Sequence, residues 1–517
     1  MGKAGVLPAL ALLSGLIGVA QAQDAPMSAI GWLSDSLTAP QTTVGTVAGE
    51  APVDGGATVS PVTVKPLGTD DGPKPDAIGL LPPALTGLPA SLWSGSTAPD
   101  VAWLIREEQA DMLPAAQALL IKLLLAEADP PEPDGTSGDA VFLARVDKLL
   151  EMGALDQAHA LLERAGPASV DVTRRWFDTA LLIGQEDDVC RAMEEKPDLS
   201  PTYPTRIFCM ARAGDWDGAV ILLGTARPLD VINEEEDALL ARFLDPDLFE
   251  GEPPLDPPRP ITPLTFRLFE AIGQAIPTRG LPLAFAQADL RSNNGWKAQV
   301  EAAERLARTG AVTDNQLLGL YTQQKPAASG GVWDRVSAVQ ALESALKEED
   351  GDTLETLLPR LWTQLTKAQT EVPIARVHGP ALAAFPLDGP AARIALHMGL
   401  LSDAYEDVAQ RAVPTTDLDR FLVALAQGTL AGVTAPDSAT RAVADGFSQA
   451  PLPTDIAALL EENRLGEAIL KALDRLASGL AGDLDDLANA LAVLRRVGLE
   501  TTARRVALEF LILERRA

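Results

Sequence analysis

The residues able to do chemistry in this 517-residue chain are few and poorly grouped. Its three histidines, His159, His378 and His397, share no metal-ligand spacing with one another or with cysteine. The chain contains no H-E-x-x-H, no G-x-S-x-G, no phosphate-cradling G-x-x-x-x-G-K-[ST] and no G-x-G-x-x-G after a strand. Acidic clusters stand at 234–237, 348–350 and 485–486. A glycosidase needs two carboxylates held across a cleft. In a chain with 72 acids against 42 bases, such clusters read instead as solvated faces or as helix N-termini, where the dipole favours them. Asp245-x-Asp247-x-x-Glu250-Gly251 has part of a calcium-loop pattern but lacks the acid at the fifth position and the glycine at the sixth. The expectation is a protein with no catalytic, cofactor-binding or metal-binding residue, and hence not an enzyme.

Only two cysteines occur, Cys190 and Cys209. Their fate depends on compartment, and the N-terminus reads as an address. Lys3, an apolar run over 6–19 and Ala20-Gln21-Ala22 form a secretory signal with cleavage leaving Gln23 first. The expected destination is a bacterial periplasm. In that oxidising space an isolated pair of cysteines means a disulfide, the alternative being two buried free thiols. No later apolar run suits a membrane span, so the exported chain is expected to be soluble.

The elements around these residues differ along the chain. Residues 23–99 are expected to hold a short apolar tag, a linker and an irregular cap. In the tag, Ile30, Leu33 and Leu37 fall on one helical face with Trp32 beside them, a pattern that could dock on a partner or on the protein's own body. From 38 to 76 the chain is rich in Pro, Gly, Thr and Val and reads as extended linker. Residues 78–93 are apolar but broken by proline, and should lie along the first helices. The helical body follows, as an arm over 100–250, a Pro-rich break at 251–263 and a second arm over 264–517. Aromatics are only 4% of the chain, whereas Ala and Leu dominate, which suits close helix packing better than sheets. The net charge of −30 disfavours nucleic acid and anionic lipid.

One grammar recurs in the body. Arg212 to Ala226 reads R-A-G-D-W-D-G-A-V-I-L-L-G-T-A. Here Gly214 ends one helix, Trp216 should pack under the turn, and Ala219 opens a second helix with a small side chain. Gly153, Leu155 and Ala158 repeat the pattern, as do Gly399, Leu401 and Ala404; Leu465 and Ala468 repeat it with Asn463 in the glycine place. Gly184, Gly428 and Gly498 mark weaker copies. The spacing runs near the period of helical-hairpin repeats. The pattern resembles the tetratricopeptide-like proteins of the bacterial periplasm, in degenerate form. That resemblance implies an all-α fold, an α-solenoid of helix-turn-helix repeats preceded by the linker. It places Cys190 at the start of one hairpin's second helix and Cys209 at the end of the next hairpin's first, where antiparallel packing would let them bridge. His159, one position after Ala158, is then expected at a surface or groove edge. By analogy with such repeats, the expected function is a scaffold or adaptor holding a protein or peptide partner. A glycan-associated envelope protein without cleavage activity is the alternative, and an enzyme with an unrecognised site a third reading.

Overall fold

The computed structural model describes residues 75–132, 138–448, 451–513 and 515. The signal, the tag residues Ile30, Trp32, Leu33 and Leu37, and nearly all the linker lie outside the described residues. Among the described residues the chain is all-helical, as expected. It has twenty-five α-helices and no strand; two isolated bridges pair Leu81 with Ala126 and Thr97 with Glu132. None of these helices is long and apolar enough to cross a membrane.

Most helices pack against a chain neighbour as antiparallel hairpins. Gly153, Gly184, Gly214 and Gly498 all take left-handed φ, between +76° and +89°, as does Asn463 at +59°. Glycine suits this position because it has no Cβ to clash. The amide after the left-handed residue then reaches back over the last turn. Ala154 N donates to Leu149 O, Asp215 N to Met210 O, Arg464 N to Leu459 O and Leu499 N to Leu494 O, all at 2.8–2.9 Å. Ala158, Ala219 and Ala468 are fully buried in the helices that follow, at the close approach their size allows.

Two positions differ from this pattern. Gly399 lies inside the Gly389–Leu400 helix, without left-handed φ. A Cβ there would come within 2.8 Å of Val408 Cγ1 and 2.9 Å of the Ala383 Cβ, so the glycine serves helix contact instead of a turn. The turn comes later, at Leu401, and Ala404 caps the Tyr405–Arg411 helix instead of entering it. Trp216 does not pack under its turn: it begins the Trp216–Ala226 helix and is 46% exposed.

The two helical stretches on either side of the Pro-rich break pack on each other. Pro114–Leu125 is apolar on every side, as a helix must be when surrounded. It lies between Ala140–Glu151 and the C-terminal Glu500–Ile512. At its first turn Ala115 N donates to the buried Glu509 carboxylate at 2.8 Å, answering an amide with no helical partner. Further along, Gln117 Nε2 donates to Arg308 O at 2.7 Å. The 78–93 stretch runs over the first helices. Leu80 N and Leu81 N donate to Leu125 O, and buried Arg145 donates to Leu124 O, Ala126 O and Ile78 O. The same stretch also reaches the C-terminal part: Trp93 is packed on Gly466, whose N–H donates to Leu92 O at 2.9 Å. The residues after the break return to the first hairpins, where Gln287 Nε2 donates to Gly153 O and Thr309 Oγ1 to Met152 O. Residues before and after the Pro-rich break are thus in direct contact.

Candidate binding site

The two cysteines form the expected disulfide, with Cα atoms 5.3 Å apart. Cys190 sits on the Asp187–Glu195 helix and Cys209 on Tyr203–Arg212, whose N-terminus is capped by Thr202. The bridge thus fastens one hairpin to the next. From this anchored pair the chain turns at Gly214 into Trp216–Ala226, where Asp215 Oδ1 accepts from Gly218 N at 3.0 Å.

The Trp216–Ala226 helix has an unusual outer face. Ala219, Leu223 and Ala226 point inward and are buried. Val220 and Ile221 point outward and are 51% and 67% exposed. Trp216 and Val220 are one turn apart and so adjacent. Leu229 and Leu248, in the short turns that follow this helix and Glu234–Leu244, are exposed too. The corresponding helix of an earlier hairpin, Leu155–Ala165, carries Asp156, Gln157, Glu163 and Arg164 among its outward residues.

Beside this face lies a cavity of about 440 Å³, lined by Glu186, Phe208, Ala211, Arg212, Trp216, Phe243, Arg267 and Glu270 among others. The rings form a connected wall. Phe208 stacks on Phe243 with centroids 5.9 Å apart, and Trp216 lies 5.8 Å from Phe243. Opposite are two acids and two bases. Arg267 pairs with Glu270 at 2.5 Å and with Glu186 Oε1 at 3.4 Å. Arg212 holds Asp187 at 2.8 Å and lies 3.7 Å from Glu186. Burial pushes the Glu270 carboxyl upward, but Arg291 and Arg267 outweigh it and keep the group below its ordinary range. The Glu186 side chain is only 1% exposed, and its Oε2 has no hydrogen-bond partner. Arg267 Nε is likewise buried without an acceptor. Unmet groups of this kind are costly, so a ligand that reached them from the cavity would gain by supplying their partners.

The other candidate groups are structural. His159 is buried, not at a groove edge, because its Nε2 accepts from Trp176 Nε1 at 3.3 Å. Burial lowers its pKa, which suits the neutral acceptor. His378 is buried 4.0 Å from Glu343. His397 lies 3.2 Å from Asp419; burial raises that carboxyl, but bonds from His397 and Thr416 prevail and hold it well below the usual carboxylate range. Among the described residues no group of three His, Cys, Asp or Glu could hold a metal ion. The acid run at 234–237 forms the first turn of Glu234–Leu244, closed by a capping box between Asn233 and Glu236. Asp350 caps Gly351–Ala368, Asp486 pairs with Arg475, and Asp245 accepts from Leu248 N.

The sequence singles out Trp216 only as a residue expected under its turn, with no cavity expected beside it. The signal available was that W-D-G-A-V-I-L-L is apolar on both helical faces, whereas its sister helices are not. No family model matches the chain, and comparison with curated proteins and with solved structures yields no match.

Proposed function

We propose that this protein is a non-catalytic adaptor that holds a protein or peptide partner on the outer face of Trp216–Ala226. The observation that carries this reading is the unpartnered apolar face continuous with an aromatic cavity. A peptide helix could lay its apolar side along Val220 and Ile221 and send one side chain into the cavity. The volume suits a side chain rather than an extended polymer. A glycan would find Trp216 to stack on but nothing to gain from Val220, Ile221 or Leu229, so the peptide reading is preferred. The repeated left-handed turns support a degenerate, tetratricopeptide-like solenoid whose ends have closed on one another. The disulfide and the apolar leader support export to a periplasm.

A photoactivatable residue in place of Ile221 tests the reading in cells. Val413, which is 85% exposed and far along the chain, is the control position. Adaptor function predicts a discrete adduct with another polypeptide from position 221, lost when Val220→Asp is added, and none from 413. Equal adducts from both positions would sink it.

A further inference from the structure

We infer that the chain carries its own occupant for this site: residues 28–37 dock on the Trp216–Ala226 face and Trp32 enters the cavity. The inference uses the site of the adaptor reading but does not need that reading's partner.

The cavity specifies what it takes. Phe208, Trp216 and Phe243 form a continuous aromatic wall against which a flat apolar ring can pack. Its ionic groups balance, Glu186 and Glu270 against Arg212 and Arg267, so a charged ligand gains little. Glu186 Oε2 is a buried acceptor with no donor. The matching side chain is therefore large, aromatic, neutral and a hydrogen-bond donor. Indole is that group: it donates through Nε1–H and accepts nothing. Outside the cavity, Val220 and Ile221 need an apolar stripe.

The sequence before residue 75 contains this combination. In S-A-I-G-W-L-S-D-S-L, Ile30, Leu33 and Leu37 recur at helical spacing with Trp32 beside them. Asp35 is the only charge in those ten residues. Reach is not limiting. The 37 residues from 38 to 74 can extend about 120 Å, and a compact body of this size is about 60 Å across. Tethering raises the local concentration of the tag to the millimolar range, so even a weak fit is occupied. A partner helix would then have to displace the tag, which makes the N-terminus a competitor for the protein's own binding face.

The test uses the full-length protein at low micromolar concentration, with a photoactivatable residue replacing Ser34 so that Trp32 stays intact. The expected result is an adduct within one chain that maps to 203–249. Trp32→Ala should lower its yield at least about tenfold, since it removes a large buried ring. Val220→Asp with Ile221→Asp should do the same, and both are surface positions, so unchanged circular dichroism would show the fold intact. Adducts spread over other helices, or a yield indifferent to Trp32→Ala, would overturn the inference. So would adducts only between two chains, which would assign the tag to a second copy. A partner adduct at position 221 together with no tag adduct would remove this inference and leave the adaptor reading standing.

Discussion

Replacing Cys209 with serine should loosen one region of the protein and spare the rest. The bridge closes a loop with a sequence separation of 19, for which chain entropy alone predicts about 3 kcal/mol. The last hairpin of that region has a helix with few other ties. In Trp216–Ala226 only Ala219, Leu223 and Ala226 are buried. The Arg212–Asp187 pair is half exposed and contributes at most about 1 kcal/mol. Opening of 187–249 should therefore become easier by most of the 3 kcal/mol, or roughly a hundredfold in amide exchange rate. Helices Leu465–Leu480 and Glu500–Ile512 should exchange as before. Hydrogen exchange read by mass spectrometry on the oxidised protein, on Cys209→Ser and on the double serine variant would measure this; the double variant removes any effect of a lone thiol. Equal loss of protection along the whole chain would refute the local reading. Two titratable thiols in the freshly purified protein would remove its premise.

Gly466→Ala should destabilise the contact between the N- and C-terminal parts, because its Cβ would fall 2.2 Å from the Trp93 ring and 2.9 Å from Leu92 O. Overpacking of this kind costs about 1–3 kcal/mol, read as a lower urea midpoint and faster proteolysis within 78–93; an unchanged midpoint would count against the contact. Glu108 is buried, and that burial, with Asp474 adding and Lys148 opposing, pushes its carboxyl up to about 8. An acid that holds its proton more tightly when folded stabilises the fold fully below the unfolded pKa and loses that contribution as pH rises toward 8. Wild-type stability should therefore fall between pH 5 and pH 8 by at most about 5 kcal/mol from this group, and Glu108→Gln should flatten the slope. Equal slopes in urea titrations of both proteins would refute the assignment.

The hairpin class was legible because its turns need left-handed backbone, and glycine advertises that need at 153, 184, 214 and 498. Between 250 and 390 the same turn recurs, but Glu349 and Gln369 occupy two of the left-handed positions. Asp350 N still donates to Ala345 O and Thr370 N to Leu365 O, so the geometry persists without its usual residue. Gly399 misled in the opposite sense, since a glycine required for helix contact looks identical in sequence to one required for a turn. The disulfide was legible from two cysteines and the oxidising compartment that the leader leads one to expect. The cavity was not, because Arg267 and Glu270 come from beyond the Pro-rich stretch, and only the packing of Pro263–Ala271 on Val170–Ile183 brings them to Glu186. Closure of the two halves was equally hidden: Pro114–Leu125 announced that it would be surrounded, but not by what.

That helix also constrains how the molecule can be made. Pro114–Leu125 is made well before the Glu500–Ile512 helix that covers one side of it. Nearly four hundred residues separate Ala115 from the Glu509 carboxylate that caps it, a sequence distance of 394. Until residues 500–512 are present, Ala140–Glu151 and the 78–93 stretch can cover Pro114–Leu125, but its remaining side and the Ala115 amide stay open. A chain cut short before residue 500 would leave that side of Pro114–Leu125 bare and the Ala115 amide without its acceptor.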